Sequence, residues 1–125
     1  MADCELCRDP GGELIWQDGF CRVILTRHIK EMTDLDRHQR ERLMSVVFVV
    51  EEAVREILLP EKINLASLGN MTPHLHWHII PRFRHDRTFP GPIWATSQRE
   101  TVSMPLDANT ARRLKTAIQS RLGGI

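Results

Sequence analysis

Apolar and polar positions change their period several times along this chain, and each change predicts an element. Glu13-Leu14-Ile15-Trp16, after the turn-forming Pro10-Gly11-Gly12, predicts a short strand. Gln17-Asp18-Gly19 is then a turn, and Phe20 to Leu25 a second strand. From Thr33 onward the spacing lengthens. Leu43, Val47, Val50, Val54 and Ile57 recur three and four residues apart, while Arg40, Glu41, Glu51, Glu52 and Arg55 take the other faces of the same helix. Thr33 or Asp34 is expected to cap its start, with Asp34 and Asp36 suiting the positive end of the dipole. Pro60 stops the helix at or just before Leu59. Lys62 to Leu68 predicts a strand, Gly69-Asn70 a turn, and the alternating His74 to Ile80 another strand closed by Pro81. Residues 82 to 105, with prolines at 90, 92 and 105, are expected to be irregular. A last helix runs from Asp107 or Asn109 through Leu114, Ile118 and Leu122, ending at Gly123-Gly124. The order strand, strand, helix, strand, strand, helix implies an α+β fold, an antiparallel sheet meander with one long helix and a C-terminal helix packed on it.

Composition narrows the function classes. With 125 residues, 42% of them apolar, residues 1–125 are expected to form one domain with a real core. That size leaves little room for a deep self-contained cleft, so a site at a subunit interface is expected. Seventeen basic against 16 acidic side chains leave a net charge of +1. No global field draws nucleic acid or an anionic membrane, and neither is expected as a partner. The run Val46 to Val50 is too short to span a bilayer, and Met-Ala-Asp-Cys-Glu-Leu-Cys lacks the pattern of a secretory signal. Three cysteines make no disulfide framework, which points to a reducing cytoplasm. There are no repeats, and no Gly-rich loop between a strand and a helix, so neither a dinucleotide cofactor nor a P-loop nucleotide site is indicated.

The chemistry concentrates in His74-Leu75-His76-Trp77-His78-Ile79-Ile80. On an extended strand the three imidazoles share one face, with Leu75, Trp77 and Ile79 on the other. Each imidazole titrates near pH ~6.5 when unperturbed, so one can be a neutral nucleophile while a neighbour faces phosphate oxygens as a cation. A histidine nucleophile divides a displacement at phosphorus into two easier steps. Two readings compete: a row of solvated surface histidines, and a metal site. Side chains two apart on a strand are about 6.6 Å apart and those four apart about 13 Å, so two neighbours could share a metal but not all three. No carboxylate lies between Ile63 and Arg84 to complete a hydrolytic metal centre.

The motif resembles the His-φ-His-φ-His-φ-φ signature of the histidine triad (HIT) family. Leu25-Thr26-Arg27-His28, ahead of Glu31-Met32-Thr33-Asp34-Leu35, resembles the segment where that family carries a fourth active-site histidine. Asn64 to Asn70 and Ile80-Pro81-Arg82 fit as well, and the similarity covers residues from about 13 to 94. It implies a homodimer with sheets joined across a two-fold axis. It also implies a diadenosine polyphosphate hydrolase-like enzyme that acts on the α-phosphate of a nucleotide derivative, either a dinucleoside polyphosphate or a nucleoside phosphoramidate. In that reading His76 is the nucleophile and passes through a covalent nucleotidyl-histidine. His78 faces the phosphate oxygens and the leaving group, His74 orients the central ring, and His28 closes the cluster. Asn70 is a candidate phosphate or ribose ligand. No cofactor or catalytic metal is required. Some members with an N-terminal Cys-x-x-Cys hold zinc, and by resemblance Cys4, Cys7, His28 and His74 would form a closed structural site. The alternative is two free thiols. If zinc takes His28 and His74, only His76 and His78 remain for catalysis.

The chain also departs from the family. Ile15 to Phe20 runs almost directly into Cys21-Arg22-Val23-Ile24, leaving out roughly a dozen residues, enough for one strand and its turn. Family members often hold the ribose hydroxyls from that strand. Either the nucleoside end is read differently here, or another chain completes the edge. Cys21 is expected to be a buried small apolar residue and Trp77 a core residue. Trp94, in Phe89-Pro90-Gly91-Pro92-Ile93-Trp94, is either a packing anchor or a wall of the nucleotide site, of this chain or a partner. Arg82, Arg84 and Arg87 are expected to be solvated at a strand end, and His38 and His85 to lie on the surface. Beside the hydrolase or transferase stand two other functions: a catalytically weak nucleotide-binding or interaction protein of the same fold, and a metal-dependent hydrolase.

Overall fold

The computed structural model describes residues 4–8, 28–100 and 106–123. The strands expected between residues 13 and 25, Cys21 among them, lie outside the described residues.

A short helix, α1 (Glu5–Arg8), has Cys4 immediately before it and Cys7 within it. The long helix, α2, spans Arg37–Leu58 and begins later than Thr33. The reason is a reciprocal cap. Gln39 N–H donates to the Asp36 carboxylate at 2.8 Å, and Asp36 N–H donates to the Gln39 side-chain oxygen at 3.0 Å. The preceding Met32–Asp34 makes a separate 3-10 turn closed by Glu31 and Asp34 in the same reciprocal way. At the other end Leu59 adopts a left-handed conformation (φ 49) and its N–H donates to Arg55 O, with Pro60 barring continuation. Leu43, Val47 and Val54 of the expected stripe are buried, together with Val46 and Ala53.

Strand β1 (Lys62–Ala66) is shorter than the expected Lys62 to Leu68. It pairs antiparallel with β2 (His78–Arg82), with Lys62 opposite Arg82, Asn64 opposite Ile80 and Ala66 opposite His78. After Ala66 the chain leaves the ladder, and Gly69 takes a positive φ of 75 that favours glycine. Helix α3 (Ala108–Leu122) starts on Asp107, whose side chain accepts from Thr110 N–H at 2.8 Å. It ends at Gly123 in a right-handed conformation.

The core is one cluster drawn from both long helices and the triad segment: Leu35, Leu43, Val46, Ala53, Leu75, Ile118 and Leu122. Each leucine, isoleucine or valine among them contributes roughly 1.5–3 kcal/mol by leaving water. Leu75 matters most for function. It sits beneath the histidines and nails their segment to the α2–α3 layer. Trp77 packs half-buried against the same cluster, as expected, and its indole N–H is buried without a hydrogen-bond partner among the described residues.

Candidate active site and metal centre

Alternation fails at the first histidine. His74 and Leu75 are both buried, at 1% and 5% exposure, so they cannot point to opposite sides of a half-exposed strand. Two backbone bonds cause this. His74 N–H donates to Thr72 O at 2.8 Å, and Leu75 N–H donates to Ile29 O at 2.6 Å, which bends the chain before it joins the sheet. The single imidazole row expected from the sequence is therefore two pairs.

The first pair is His28 with His74, rings 5.0 Å apart and edge to face. The turn of α1 brings both cysteines to them, with Cys7 N–H donating to Cys4 O. His74 Nδ1 lies 3.5 Å from the sulfurs of both Cys4 and Cys7, and His28 Nδ1 lies 3.4 Å from Cys7 Sγ. All four ligand atoms fall within 4.8 Å of one another. Sulfur and nitrogen ligands of one tetrahedral zinc, with bonds near 2.3 and 2.0–2.1 Å, lie about 3.5 Å apart. The donor set and its spacing fit such an ion. Burial pushes the Cys4 thiol up, yet the backbone N–H and thiol of Cys7 outweigh this and hold it below its ordinary value, which favours the thiolate a metal needs.

The second pair is His76 with His78, rings 5.1 Å apart and again edge to face. His76 Nδ1 donates to the main-chain carbonyl of His74 at 2.6 Å. A carbonyl can only accept, so Nδ1 carries a proton, and the tautomer that keeps this bond in an uncharged ring has its lone pair on Nε2. The His76 carbonyl is in turn held by the Ser67 hydroxyl at 2.7 Å. His78 is exposed at the start of β2. Burial, then the proximity of His76, lowers its pKa below the usual imidazole value. The second pair thus offers a ring oriented through Nδ1 beside one whose protonation is disfavoured.

Two other candidate residues lie elsewhere. Asn70 is exposed in the turn before the triad. Trp94 is 64% exposed and lines a cavity of about 500 Å³ over the sheet, with Lys62, Asn64, Ala66, Ile80 and Arg82.

Arg82 is the largest departure from the sequence expectation: it is buried, at 3% exposure, rather than solvated. Its guanidinium donates to both carboxylate oxygens of Asp86 (2.9 and 3.0 Å), to Asn64 Oδ1 (2.9 Å), to Thr88 Oγ1 (3.2 Å) and to Gly91 O (2.7 Å). Asp86 in turn accepts from the N–H groups of Phe83, Thr88 and Phe89. The Arg82 guanidinium, above all, holds the Asp86 carboxyl far below the usual carboxylate range. This hub fastens the proline-rich segment to the sheet. The Arg82-x-x-x-Asp86 spacing was its only sequence signal, and it is a weak one. Arg84 and Arg87 are exposed as expected, Arg84 pairing with Glu61, and His38 and His85 are exposed too.

The HIT domain family matches residues 16–85. Among solved structures, a histidine triad protein of Bradyrhizobium japonicum is 33% identical, with a TM-score of 0.62 over 78% of this chain and 70% of its own. Histidine triad proteins of Marinobacter aquaeolei (29% identity, TM-score 0.61, 81% and 72% covered) and Sinorhizobium meliloti (28%, 0.60, 78% and 70%) are similar to it as well. None of the curated proteins matches the chain. The family match spans more than half of the chain and includes both histidine pairs, and the mixed architecture agrees with these solved neighbours: the chain belongs to the HIT family.

Proposed function

We propose that this protein is a nucleotidyl hydrolase or transferase of the HIT type, acting on a phosphoanhydride or phosphoramidate bond at the α-phosphate of a nucleotide. The observation that carries the reading is the bond from His76 Nδ1 to the His74 carbonyl. It fixes the tautomer, so Nε2 attacks the α-phosphorus and a P–N bond forms as the bond to the leaving group breaks. The departing group takes the bonding electron pair. His78 faces the phosphate oxygens and, once an anionic substrate restores its proton affinity, supplies a proton to that group. Water then attacks the phosphorus of the nucleotidyl-histidine and gives a proton to His78. The P–N bond breaks with its electron pair returning to Nε2, a nucleoside monophosphate leaves, and both rings are as they began. A dinucleoside polyphosphate or a nucleoside phosphoramidate satisfies this scheme, and in this reading Asn70, exposed in the turn leading to the triad, is a substrate contact.

His28 and His74 serve a different purpose in this reading. With Cys4 and Cys7 they hold a structural zinc, which ties α1 to the segment beneath the nucleophile and supplies no step of the reaction. In this reading the protein is a homodimer with its sheets joined across a two-fold axis, as the family resemblance implies. No described helix is long and apolar enough to cross a membrane.

Mass spectrometry after incubation with adenosine phosphoramidate and with diadenosine polyphosphates tests the reading. The expected result is a nucleotidyl adduct on His76, absent from His76→Ala. Turnover lost on chelation while the fold persists would sink it in favour of a metal-dependent hydrolase. Nucleotide-dependent thermal stabilisation with neither adduct nor turnover would leave a binding protein.

A further inference from the structure

Two backbone groups flank Leu75 in the triad segment, the N–H of His74 and the carbonyl of His76, and one loop satisfies both. The loop starts where the sheet stops. Pairing of β1 with β2 runs from Lys62 opposite Arg82 to Ala66 opposite His78 and ends there. Ser67 comes next, half-buried, and its hydroxyl donates to the His76 carbonyl at 2.7 Å. A side chain thus holds the triad segment at the point where the β1–β2 ladder has ended. The chain then turns away through Gly69, whose φ of 75 suits glycine and whose Cβ would lie 3.4 Å from Thr72 O. That same Thr72 O accepts from His74 N–H at 2.8 Å. Residues 67 to 72 therefore grip the segment on both sides of Leu75, which is itself seated in the core.

We infer that Ser67 is a positioning residue for His76: its hydroxyl sets the peptide plane beside the imidazole, and with it the direction in which Nε2 points. This rests on the reaction proposed above and adds a residue to its machinery. Two bonds of different kinds locate the ring. The bond from Nδ1 to His74 O restrains rotation within the side chain. It leaves the main chain of residue 76 to be fixed from elsewhere, and the carbonyl that Ser67 holds belongs to that main chain. A partly buried carbonyl deprived of its donor turns toward another one. The ring turns with it, since both are carried by the same Cα. Alanine at 67 removes the donor, whereas threonine keeps a hydroxyl at the same place. Ser67 touches no substrate in this scheme and gives up no proton. Its whole contribution is the aim of the proposed nucleophile.

The test is steady-state kinetics with adenosine phosphoramidate in the wild type, Ser67→Ala and Ser67→Thr, with thermal unfolding as a check on the fold. Displacing a reacting group by about 1 Å can cost about 100-fold in rate. With the ring still restrained through Nδ1, kcat should fall about tenfold in Ser67→Ala while KM stays within about twofold. Ser67→Thr should recover most of the rate. The nitrogen resonances of the His76 ring give a readout independent of turnover. In the wild type the tautomer with its proton on Nδ1 should dominate, and in Ser67→Ala it should give way to a mixture. An unchanged kcat, a loss confined to KM, or ring resonances identical in the wild type and Ser67→Ala would overturn the assignment. If the wild type forms no adduct and turns nothing over, the proposed reaction fails. The ring resonances then decide the positioning role by themselves, since they need no substrate.

Discussion

The two imidazole pairs have nearly the same ring geometry, edge to face at 5.0 and 5.1 Å, and opposite surroundings. His74 is sealed from solvent with two sulfurs at 3.5 Å. His76 is half-buried and its partner His78 is open at the strand end. Ring spacing therefore says little about role, and the neighbours decide it. Sulfur partners and burial suit a closed metal site, whereas a carbonyl on Nδ1 and access at Nε2 suit a nucleophile. Residue 74 belongs to both. Its side chain sits with the cysteines while its carbonyl accepts from the ring of His76.

The sharpest way to break this division is to remove one member of each pair. His76→Ala should abolish the adduct and lower turnover by at least ~10³-fold, as loss of a nucleophile does. His76 contributes little to the core, so its thermal midpoint should move far less than that of His74→Ala. The latter opens a cavity in a buried site and removes a ligand of the proposed zinc, and a loss of about 3 kcal/mol is expected by chemical denaturation. If His74→Ala proved stable and His76→Ala unfolded, the assignment of roles would be reversed.

Chelation and Cys4→Ser extend the same contrast. Both should lower the unfolding midpoint, and Cys4→Ser should reduce bound zinc measured by elemental analysis. Turnover of the molecules that remain folded should persist. Stability unaffected by chelation, with no zinc in the purified protein, would return Cys4 and Cys7 to the status of free thiols.

How much of this was legible beforehand depends on range. The long-helix stripe and the terminal helix were readable because their periods are local. The clustering of Cys4, Cys7, His28 and His74 followed from resemblance and agrees with the geometry. Asp36-x-x-Gln39 is a legible cap signal in competition with the earlier Thr33 and Asp34, and the reciprocal bonds between Asp36 and Gln39 decide between them. The break in alternation at His74 was not readable, because it depends on Leu75 bonding to Ile29, far away in sequence. Arg82 was hidden for the same reason. A run of arginines after a strand resembles a solvated end, and only the fold brings Asn64, Asp86 and Gly91 around one guanidinium.

Arg82→Lys provides a control lying outside both pairs. Lysine keeps the charge but loses the planar fork that serves five acceptors. A loss of about 2 kcal/mol is expected from buried acceptors left unpaired. Zinc content should not fall with it, whereas in Cys4→Ser the two should fall together. If Arg82→Lys also lost zinc, metal content would merely track global stability, and the separation between the regions would dissolve.

The smallest effect expected concerns His78. Its folded pKa lies below the ordinary imidazole value, because burial and then His76 disfavour its charge. Between that lowered value and pH ~6.5 the unfolded chain binds more protons at this residue than the folded one, so stability rises with pH across this window. The contribution is complete above pH ~6.5 and is lost as pH falls toward the folded pKa. Because His78 is exposed, solvent keeps the slope shallow. Unfolding midpoints between pH 7.5 and 5 should decline slightly more steeply for the wild type than for His78→Gln, which carries no titrating ring. A bound nucleotide should reverse the sign at this residue, since phosphate oxygens favour the imidazolium, and binding should then take up a proton near neutral pH. Equal slopes in the two proteins, with no proton uptake, would mean that His78 does not sense the phosphate, and the open pair would be reduced to a single working histidine.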